Sequence, residues 1–195
     1  MKKKRTRITH AKEDVLVIGA GPAGIATAYA LEQAGISYKV VDREQMIGST
    51  WDKLYPSLRL NTSRFFSHMP GMPFPAEYGI FATGRQYHTH LLDFVDKHQF
   101  NIHTGIQVER VVPEAGLWRV ETSENTQLYR AVISATGVYN NPVMPDIPGL
   151  LDFRGELMHS HDFRHPAQMT GKRLLVVGSG PSGVDTAIAS TKYAK

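Results

Sequence analysis

The most regular hydrophobic pattern in the chain is an apolar run at Val15–Ile18 that leads directly into a glycine-rich turn. A continuous apolar run of this length is typical of a strand that is buried on both faces. Helix-forming residues follow over positions 23–34, Gly35 supplies a stop signal, and a second apolar run covers Tyr38–Val41. This order of elements predicts a βαβ unit with two parallel strands.

The turn between the first strand and the helix has the spacing G-x-G-x-x-G, and an aspartate ends the second strand. In dinucleotide-binding units these glycines allow a tight turn, let the backbone approach a pyrophosphate, and permit close packing of helix on strand. The acid about twenty residues farther on accepts hydrogen bonds from a ribose. The alternative is a plain βαβ unit with a chance acid. The predicted dinucleotide-binding residues are Gly19, Gly21, Pro22, Ala23, Gly24 and Asp42.

Two loops follow this unit. Residues 43–51 leave the carboxyl end of a strand, which is where ligands bind in open α/β sheets, so we expect this loop to line the cofactor. Residues 54–79 are rich in proline and aromatic side chains; irregular segments of this length are usually functional, although a surface loop without special chemistry is the alternative.

Beyond the loops, apolar positions at helical spacing predict an amphipathic helix over residues 86–100. Three runs rich in β-forming residues then cover positions 106–112, 117–121 and 128–134, with turn residues at 113–116 and 123–125. They predict an antiparallel meander inserted into the α/β unit. The last run ends in Ala135, Thr136 and Gly137, a small-residue turn where backbone can approach a ligand.

The glycine motif occurs a second time. An apolar run at residues 174–177 leads into Gly178, Gly180 and Gly183, again with proline at the start of a helix. Two such turns imply two dinucleotides, so that electrons can pass from a soluble carrier to a bound one. A βαβ unit needs about thirty residues, and only about one helix follows, so we expect this second unit to be incomplete. Its predicted contact residues are Gly178, Gly180, Pro181, Ser182 and Gly183.

The composition of the chain excludes several functional classes of protein. The formal net charge is +4 over 195 residues, but five basic residues lie among the first seven, so we expect a basic flexible arm at residues 1–12 and no nucleic-acid partner. There is no cysteine, which excludes a disulfide, a thiolate-bound iron–sulfur cluster and a redox C-x-x-C within this chain. No run is long enough to cross a bilayer, and we expect a cytoplasmic protein.

A histidine cluster offers a different interpretation. His159, His161 and His165, with Asp162, have the H-x-H spacing that can bind zinc or iron. Nothing else in the sequence supplies a set of carboxylate ligands. We therefore predict no metal site.

From residue 15 to about residue 190 the sequence resembles the N-terminal part of the flavin-containing monooxygenase family. The resemblance rests on both glycine turns, on a Gly48 to Trp51 loop similar to the family's glycine–tryptophan loop, and on the Ala135-Thr136-Gly137 linker. The most specific match is the segment 153–163, which fits the pattern F-x-G-x-x-x-H-x-x-x-aromatic. Its last position, Phe163, is usually tryptophan in the Baeyer–Villiger branch, so phenylalanine favours the branch that oxygenates nitrogen or sulfur.

The resemblance implies an α/β fold. A Rossmann-like FAD-binding domain with an inserted meander occupies residues 13–150, and a linker and the beginning of an NAD(P)H-binding domain occupy residues 151–195. It implies the cofactors FAD and NADPH, with FAD contacts that include Gly19, Gly21, Pro22, Ala23, Gly24, Asp42, Arg43, Gly48, Thr50, Trp51, Thr136 and Gly137.

The implied reaction reduces FAD with NADPH, forms a flavin C4a-hydroperoxide with O2, and transfers one oxygen atom to a soft nucleophile of a small molecule. Asn61, in Leu60-Asn61-Thr62-Ser63, resembles the family's active-site asparagine and is the predicted catalytic residue. Three alternatives stay open: a disulfide reductase, a Baeyer–Villiger monooxygenase, and a non-catalytic nucleotide-binding remnant.

Overall fold

The computed structural model describes residues 9–138 and 140–195. This part of the chain contains eight strands and five α-helices, with 3₁₀ turns at Ala76–Tyr78, Leu150–Asp152, Ser160–Asp162 and Pro166–Met169. The strands are β1 (Thr9–His10), β2 (Val15–Ile18), β3 (Tyr38–Val41), β4 (Ile102–His103), β5 (Val108–Glu114), β6 (Leu117–Thr122), β7 (Thr126–Tyr129) and β8 (Ala131–Ser134). The helices are α1 (Pro22–Gln33), α2 (Ser49–Asp52), α3 (Arg64–Ser67), α4 (Gly84–His98) and α5 (Pro181–Ser190).

The central layer is a parallel sheet in the order β4-β3-β2-β8. Its middle strand β2 is buried on both faces, as the apolar run predicts. Val15 and Val17 pack with helices α1 and α4 in one core, whereas Leu16 packs with Val120 and Tyr129 of the second sheet. The predicted α/β class and the first βαβ unit are thereby confirmed.

The second sheet has the order β1-β7-β6-β5, and β5, β6 and β7 form the predicted antiparallel meander. The predicted turn at residues 113–116 is narrower than expected: β5 continues to Glu114, and the two turn residues Ala115 and Gly116 both have positive φ. Pro113 lies within β5, an edge strand of this sheet. An edge strand tolerates proline because one row of its backbone groups needs no ladder partner.

The prediction of a single strand over residues 128–134 was wrong. The chain leaves the meander after Tyr129 and joins the parallel sheet at Ala131, where β8 pairs with β2. Arg130 connects β7 to β8. Its backbone N–H donates to the Asp14 carbonyl, and its guanidinium lies 3.1 Å from the Asp14 carboxylate. The apolar pattern is almost continuous here, so the sequence carries no sign of the change of sheet.

Helix α4 begins two residues before the predicted start because Thr83 forms a capping box with Gln86. The Thr83 hydroxyl accepts the Gln86 N–H at 3.2 Å, and the Gln86 side-chain oxygen accepts the Thr83 N–H at 2.8 Å. Gln99 ends the helix in a left-handed conformation with φ 55°. Of the apolar positions that predict this helix, Tyr87, Leu91 and Phe94 are buried, whereas Leu92 is 38% exposed.

Two further expectations need correction. Residues 1–8 of the expected flexible arm lie outside the described residues, but Thr9–His10 are not part of an arm, because they form β1 beside β7. Residues 174–177 form no strand, and Leu175 and Val177 are 84% and 71% exposed. An apolar run becomes a strand only where another segment pairs with its backbone, and within the described residues none pairs with this one.

Among residues 9–138 and 140–195, no helix combines the length and apolar character needed to cross a membrane. The cytoplasmic location stays a prediction from the sequence.

Candidate functional site

The first glycine turn is packed so tightly that two of its glycines cannot be replaced without displacing backbone. Gly19 has φ +112°, and a Cβ there would lie 2.4 Å from the carbonyl oxygen of Ala135. A Cβ on Gly24 would lie 1.8 Å from the carbonyl oxygen of Gly19. The turn after β2, the start of α1 and the residues after β8 are therefore in direct backbone contact, which places Thr136 and Gly137 beside the turn.

Gly21 differs from these two glycines. A Cβ built on it would meet no protein atom within 4 Å. Gly21 is the N-cap of the twelve-residue helix α1, Pro22 follows it, and no side chain caps this end. Uncapped N–H groups and the helix dipole favour an anionic group at this position. The structure thus leaves open the space that a pyrophosphate needs.

Asp42 and Gly48 are tied to the same turn by hydrogen bonds. One carboxylate oxygen of Asp42 accepts the Ala20 N–H at 2.7 Å, and the other accepts the Glu44 N–H at 2.9 Å. The Gly48 N–H donates to the Ala20 carbonyl at 3.0 Å. Each carboxylate oxygen keeps a further lone pair for a ligand hydroxyl. The predicted acid therefore lies in the site and also orders its loops.

A cavity of about 520 Å³ lies beside the N-terminus of α1. Three predicted residues line it: Pro22, Ala23 and Trp51. The Trp51 indole meets the Tyr87 ring edge to face, with 4.4 Å between the ring centroids. Arg43 and Thr50 are exposed and do not line this cavity. The remaining wall consists of Ala26, Leu60, Thr62, Phe66, Ser67, His68, Met69, Pro70 and Tyr87.

Most of these wall residues were not predicted individually. They come from the proline- and aromatic-rich loop, whose length was the signal in the sequence that it has a function. Because the loop lacks periodicity, the pattern could not show which of its side chains face the cavity.

Asn61 lines a second cavity of about 710 Å³, together with Tyr55, Arg59, His165 and residues of α5. Leu60 belongs to both cavities, so Asn61 lies at the boundary between the two spaces. The structure thus places the predicted catalytic residue next to the α1 cavity but facing the segment that carries the second glycine motif.

Tyr55 joins the two parts of the site. Its hydroxyl donates to the Asp185 carboxylate of α5 at 3.2 Å, and its ring packs edge to face against Phe163 at 5.3 Å. Burial, followed by the charge of Asp185, raises the pKa of the Tyr55 hydroxyl above its ordinary value. Tyr55 therefore remains a neutral hydrogen-bond donor, and the aromatic position of the 153–163 motif is buried beneath it.

The second glycine turn repeats the backbone of the first. Gly178 has φ +123°, and a Cβ on Gly183 would lie 2.3 Å from the Gly178 carbonyl oxygen. Gly180 is the N-cap of α5, no side chain caps it, and a Cβ there would meet nothing within 4 Å. Pro181 and Ser182 form the exposed first turn. This turn has the same open helix end as the first, although no strand precedes it.

The histidine cluster makes local contacts. His159 Nδ1 accepts the His161 N–H, His165 Nδ1 accepts the Ala167 N–H, and His161 Nδ1 lies 3.0 Å from Asp162. Two of these histidines cap 3₁₀ turns. No group of three potential metal ligands occurs in residues 9–138 and 140–195.

His90 provides a prediction about stability. Its Nε2 accepts the Met69 N–H at 3.2 Å, which holds one wall of the α1 cavity. Burial lowers the His90 pKa from 6.5; Asp93 and a backbone hydrogen bond with Met72 oppose this shift, and His68 adds to it. The unfolded chain then binds a proton more readily than the folded chain. We expect the free energy of unfolding to fall as pH drops below about 6.5.

Thermal unfolding at about pH 7.5 and about pH 5.5 measures this dependence. His90→Gln keeps an acceptor for the Met69 N–H without a titrating ring, so its unfolding midpoint should change less between the two pH values. An equal change in both chains would show that other groups cause the pH dependence.

Comparison with known proteins agrees with this geometry. Residues 16–195 match the family described as "Pyridine nucleotide-disulphide oxidoreductase". Probable indole-3-pyruvate monooxygenase YUCCA8 from Arabidopsis thaliana is 35% identical over 184 residues, which cover 89% of this chain and 43% of the relative. The flavin-containing monooxygenase from Stenotrophomonas maltophilia superposes with a TM-score of 0.88 at 31% identity, covering 96% of this chain and 56% of that one.

The S-allyl-L-cysteine S-oxygenase from Allium sativum superposes with a TM-score of 0.85 at 26% identity, covering 96% of this chain and 50% of that one. The chain thus spans about half the length of these relatives. The match extends across both glycine turns and the loops between them. This chain therefore belongs to the pyridine nucleotide-disulphide oxidoreductase family and, within it, to the flavin-containing monooxygenases.

Proposed function

We propose that this chain carries the FAD site and part of the NADPH site of a monooxygenase that oxygenates a nitrogen or sulfur atom of a small molecule. The observation that carries the proposal is the pair of glycine turns with matching backbone geometry, each with an open N-cap glycine at a helix end. An FAD pyrophosphate would lie at α1, with Asp42 toward its ribose and Trp51 beside the flavin. An NADPH pyrophosphate would lie at α5.

The overall reaction consumes one NADPH, one proton and one O2, and it yields NADP⁺, water and the oxygenated substrate. The flavin, when bound, accepts the hydride and activates O2. The protein holds the two dinucleotides and excludes water. Trp51 and Tyr87 give the α1 cavity an apolar wall for this purpose.

Oxygenation of nitrogen or sulfur is supported by the motif that ends in Phe163. Tryptophan usually occupies this place in the Baeyer–Villiger branch, and here Phe163 is buried against Tyr55. The Allium sativum relative is also named for S-oxygenation. Thioether and tertiary amine substrates are therefore the first to test, with a cyclic ketone and indole-3-pyruvate for comparison.

The first experiment is the visible absorption spectrum of the purified chain before and after addition of FAD. The proposal predicts a bound flavin spectrum, followed by NADPH-dependent O2 uptake. A chain that never binds FAD would instead be a non-catalytic remnant, and a chain that converts only the ketone would be a Baeyer–Villiger enzyme.

A second prediction concerns Asn61, which we propose as a hydrogen-bond donor to the reacting oxygen. Asn61→Leu removes the amide, and we expect product formation to fall by about a hundredfold while FAD binding is kept. NADPH oxidation should continue, with O2 released as hydrogen peroxide in place of product. The ratio of product to NADPH consumed measures this change.

Asn125→Leu, in the meander turn, is the matched control and should leave that ratio unchanged. An Asn61→Leu chain with unchanged coupling would remove Asn61 from the reaction.

A further inference from the structure

The segment formed by residues 47–51 brings Trp51 to the wall of the α1 cavity. The Gly48 N–H donates to the Ala20 carbonyl, and the Trp51 N–H donates to the Gly48 carbonyl at 2.8 Å. The first of these bonds ties the segment to the glycine turn, and the second lies within the segment itself. The position of the Trp51 indole therefore depends on the contact that holds the other side of this segment.

His88 of α4 holds that other side. Its ring nitrogen Nε2 lies 2.9 Å from the carbonyl oxygen of Ile47, and its side chain is only 9% exposed. Because a carbonyl can only accept, Nε2 carries the hydrogen and donates it. Little solvent reaches this hydrogen bond. Its loss would lower the stability of the fold, because the Ile47 carbonyl would be left without a partner.

The other ring nitrogen points toward the end of the same stretch. His88 Nδ1 lies 3.9 Å from a carboxylate oxygen of Asp52, the last residue of α2. At 3.9 Å the Asp52 carboxylate is too far away for a hydrogen bond with Nδ1, so the hydrogen bond from Nε2 to Ile47 sets the orientation of the ring. The imidazole thus spans the chain from residue 47 to residue 52.

The ring also lies flush against Gly48. A Cβ on Gly48 would approach His88 Cδ2 to 3.1 Å and Leu91 Cδ1 to 3.5 Å, and Gly48 has φ +64°. Its left-handed conformation and this close approach both require glycine. The neighbour of His88 on the helix, Tyr87, contacts Trp51 directly. One turn of α4 therefore sets the backbone of the segment and the position of its indole.

We infer that His88 is a positioning residue for FAD: it fixes residues 47–51 so that Trp51 stands at the flavin. The inference rests on the proposed function, since it assumes that FAD occupies the α1 cavity. His88 itself does not line that cavity and acts through the segment.

The test compares His88→Leu with His88→Gln. Leucine fills a similar volume without a donor, whereas the glutamine amide can still donate to the Ile47 carbonyl. We expect His88→Leu to weaken FAD binding about tenfold and to shift the visible flavin bands, and His88→Gln to bind within about twofold of the unsubstituted chain. His98→Leu, in the last turn of α4, is the control; it should alter stability without changing FAD affinity or the flavin bands.

A second readout needs no cofactor. The chain has two tryptophans, so in a Trp118→Phe background Trp51 is the only source of tryptophan fluorescence. His88→Leu should make Trp51 more accessible to acrylamide quenching, and His88→Gln should not. Unchanged quenching and FAD affinity in His88→Leu would overturn the inference while leaving the proposed function intact. An unsubstituted chain that binds no FAD would overturn the proposed function and this inference with it.

Discussion

Replacing Gly21 with valine will abolish FAD binding and leave the folded chain almost as stable as before. The N-cap has φ −85° and ψ −173°, an extended backbone that valine adopts readily, and a Cβ there meets no protein atom within 4 Å. The same space is where a pyrophosphate would approach the helix N-terminus. The valine methyl groups would occupy it. Flavin retained after gel filtration, with thermal unfolding of the free chain, measures both parts of the prediction.

Gly180→Val is the matched control, because Gly180 occupies the same position in the second turn and also faces open space. It should leave FAD binding unchanged and weaken NADPH binding. A Gly21→Val chain that retains its full complement of flavin would contradict the assignment of the first turn to FAD.

The second large effect is on the fold. We expect Gly24→Ala to destabilise the chain by about 2–4 kcal/mol, because the added Cβ would lie 1.8 Å from the Gly19 carbonyl oxygen. The obstacle is backbone, not the flexible end of a side chain. Helix α1 would have to move away from β2, which would open the core at Ile25 and Ala28. Urea unfolding of the free chain measures the loss.

Gly35→Ala provides the comparison for this variant. Gly35 also has a positive φ, +66°, but a Cβ there would meet nothing within 4 Å, so only the conformational cost of about 1 kcal/mol applies. If the two variants lost equal stability, the close approach of Gly24 to Gly19 would not be the cause.

The contrast between these glycines shows which features of the site could be predicted from the sequence and which could not. The spacing of Gly19, Gly21 and Gly24 predicts all three roles, and the structure separates the two that pack from the one that faces open space. The βαβ unit, the amphipathic helix and the meander were also predictable, since each depends on local periodicity or turn residues. Asp42 stays the predicted ribose ligand, and the structure adds that its carboxylate is already hydrogen-bonded to the backbone N–H groups of Ala20 and Glu44.

Other features depend on contacts that no local pattern records. The change of sheet at Arg130 is set by pairing with β2, far away in sequence. Residues 174–177 have the composition of a strand but no described partner. In the sequence His88 is simply one residue of a predicted helix. Only the fold shows that the Ile47 carbonyl lies against its ring.

The pairing of β8 with β2 also bears on how the molecule folds. More than half of the chain separates Val15 from its partner Ala131, so this ladder closes a very long loop, whereas β2 and β3 are joined by a single helix. Contacts between distant segments are slow to form because the entropy of closing the loop must be lost first. Gly19 touches Ala135, directly after β8. The glycine turn and the residues after β8 would therefore come together late, after the local contacts of the βαβ unit and the meander have formed.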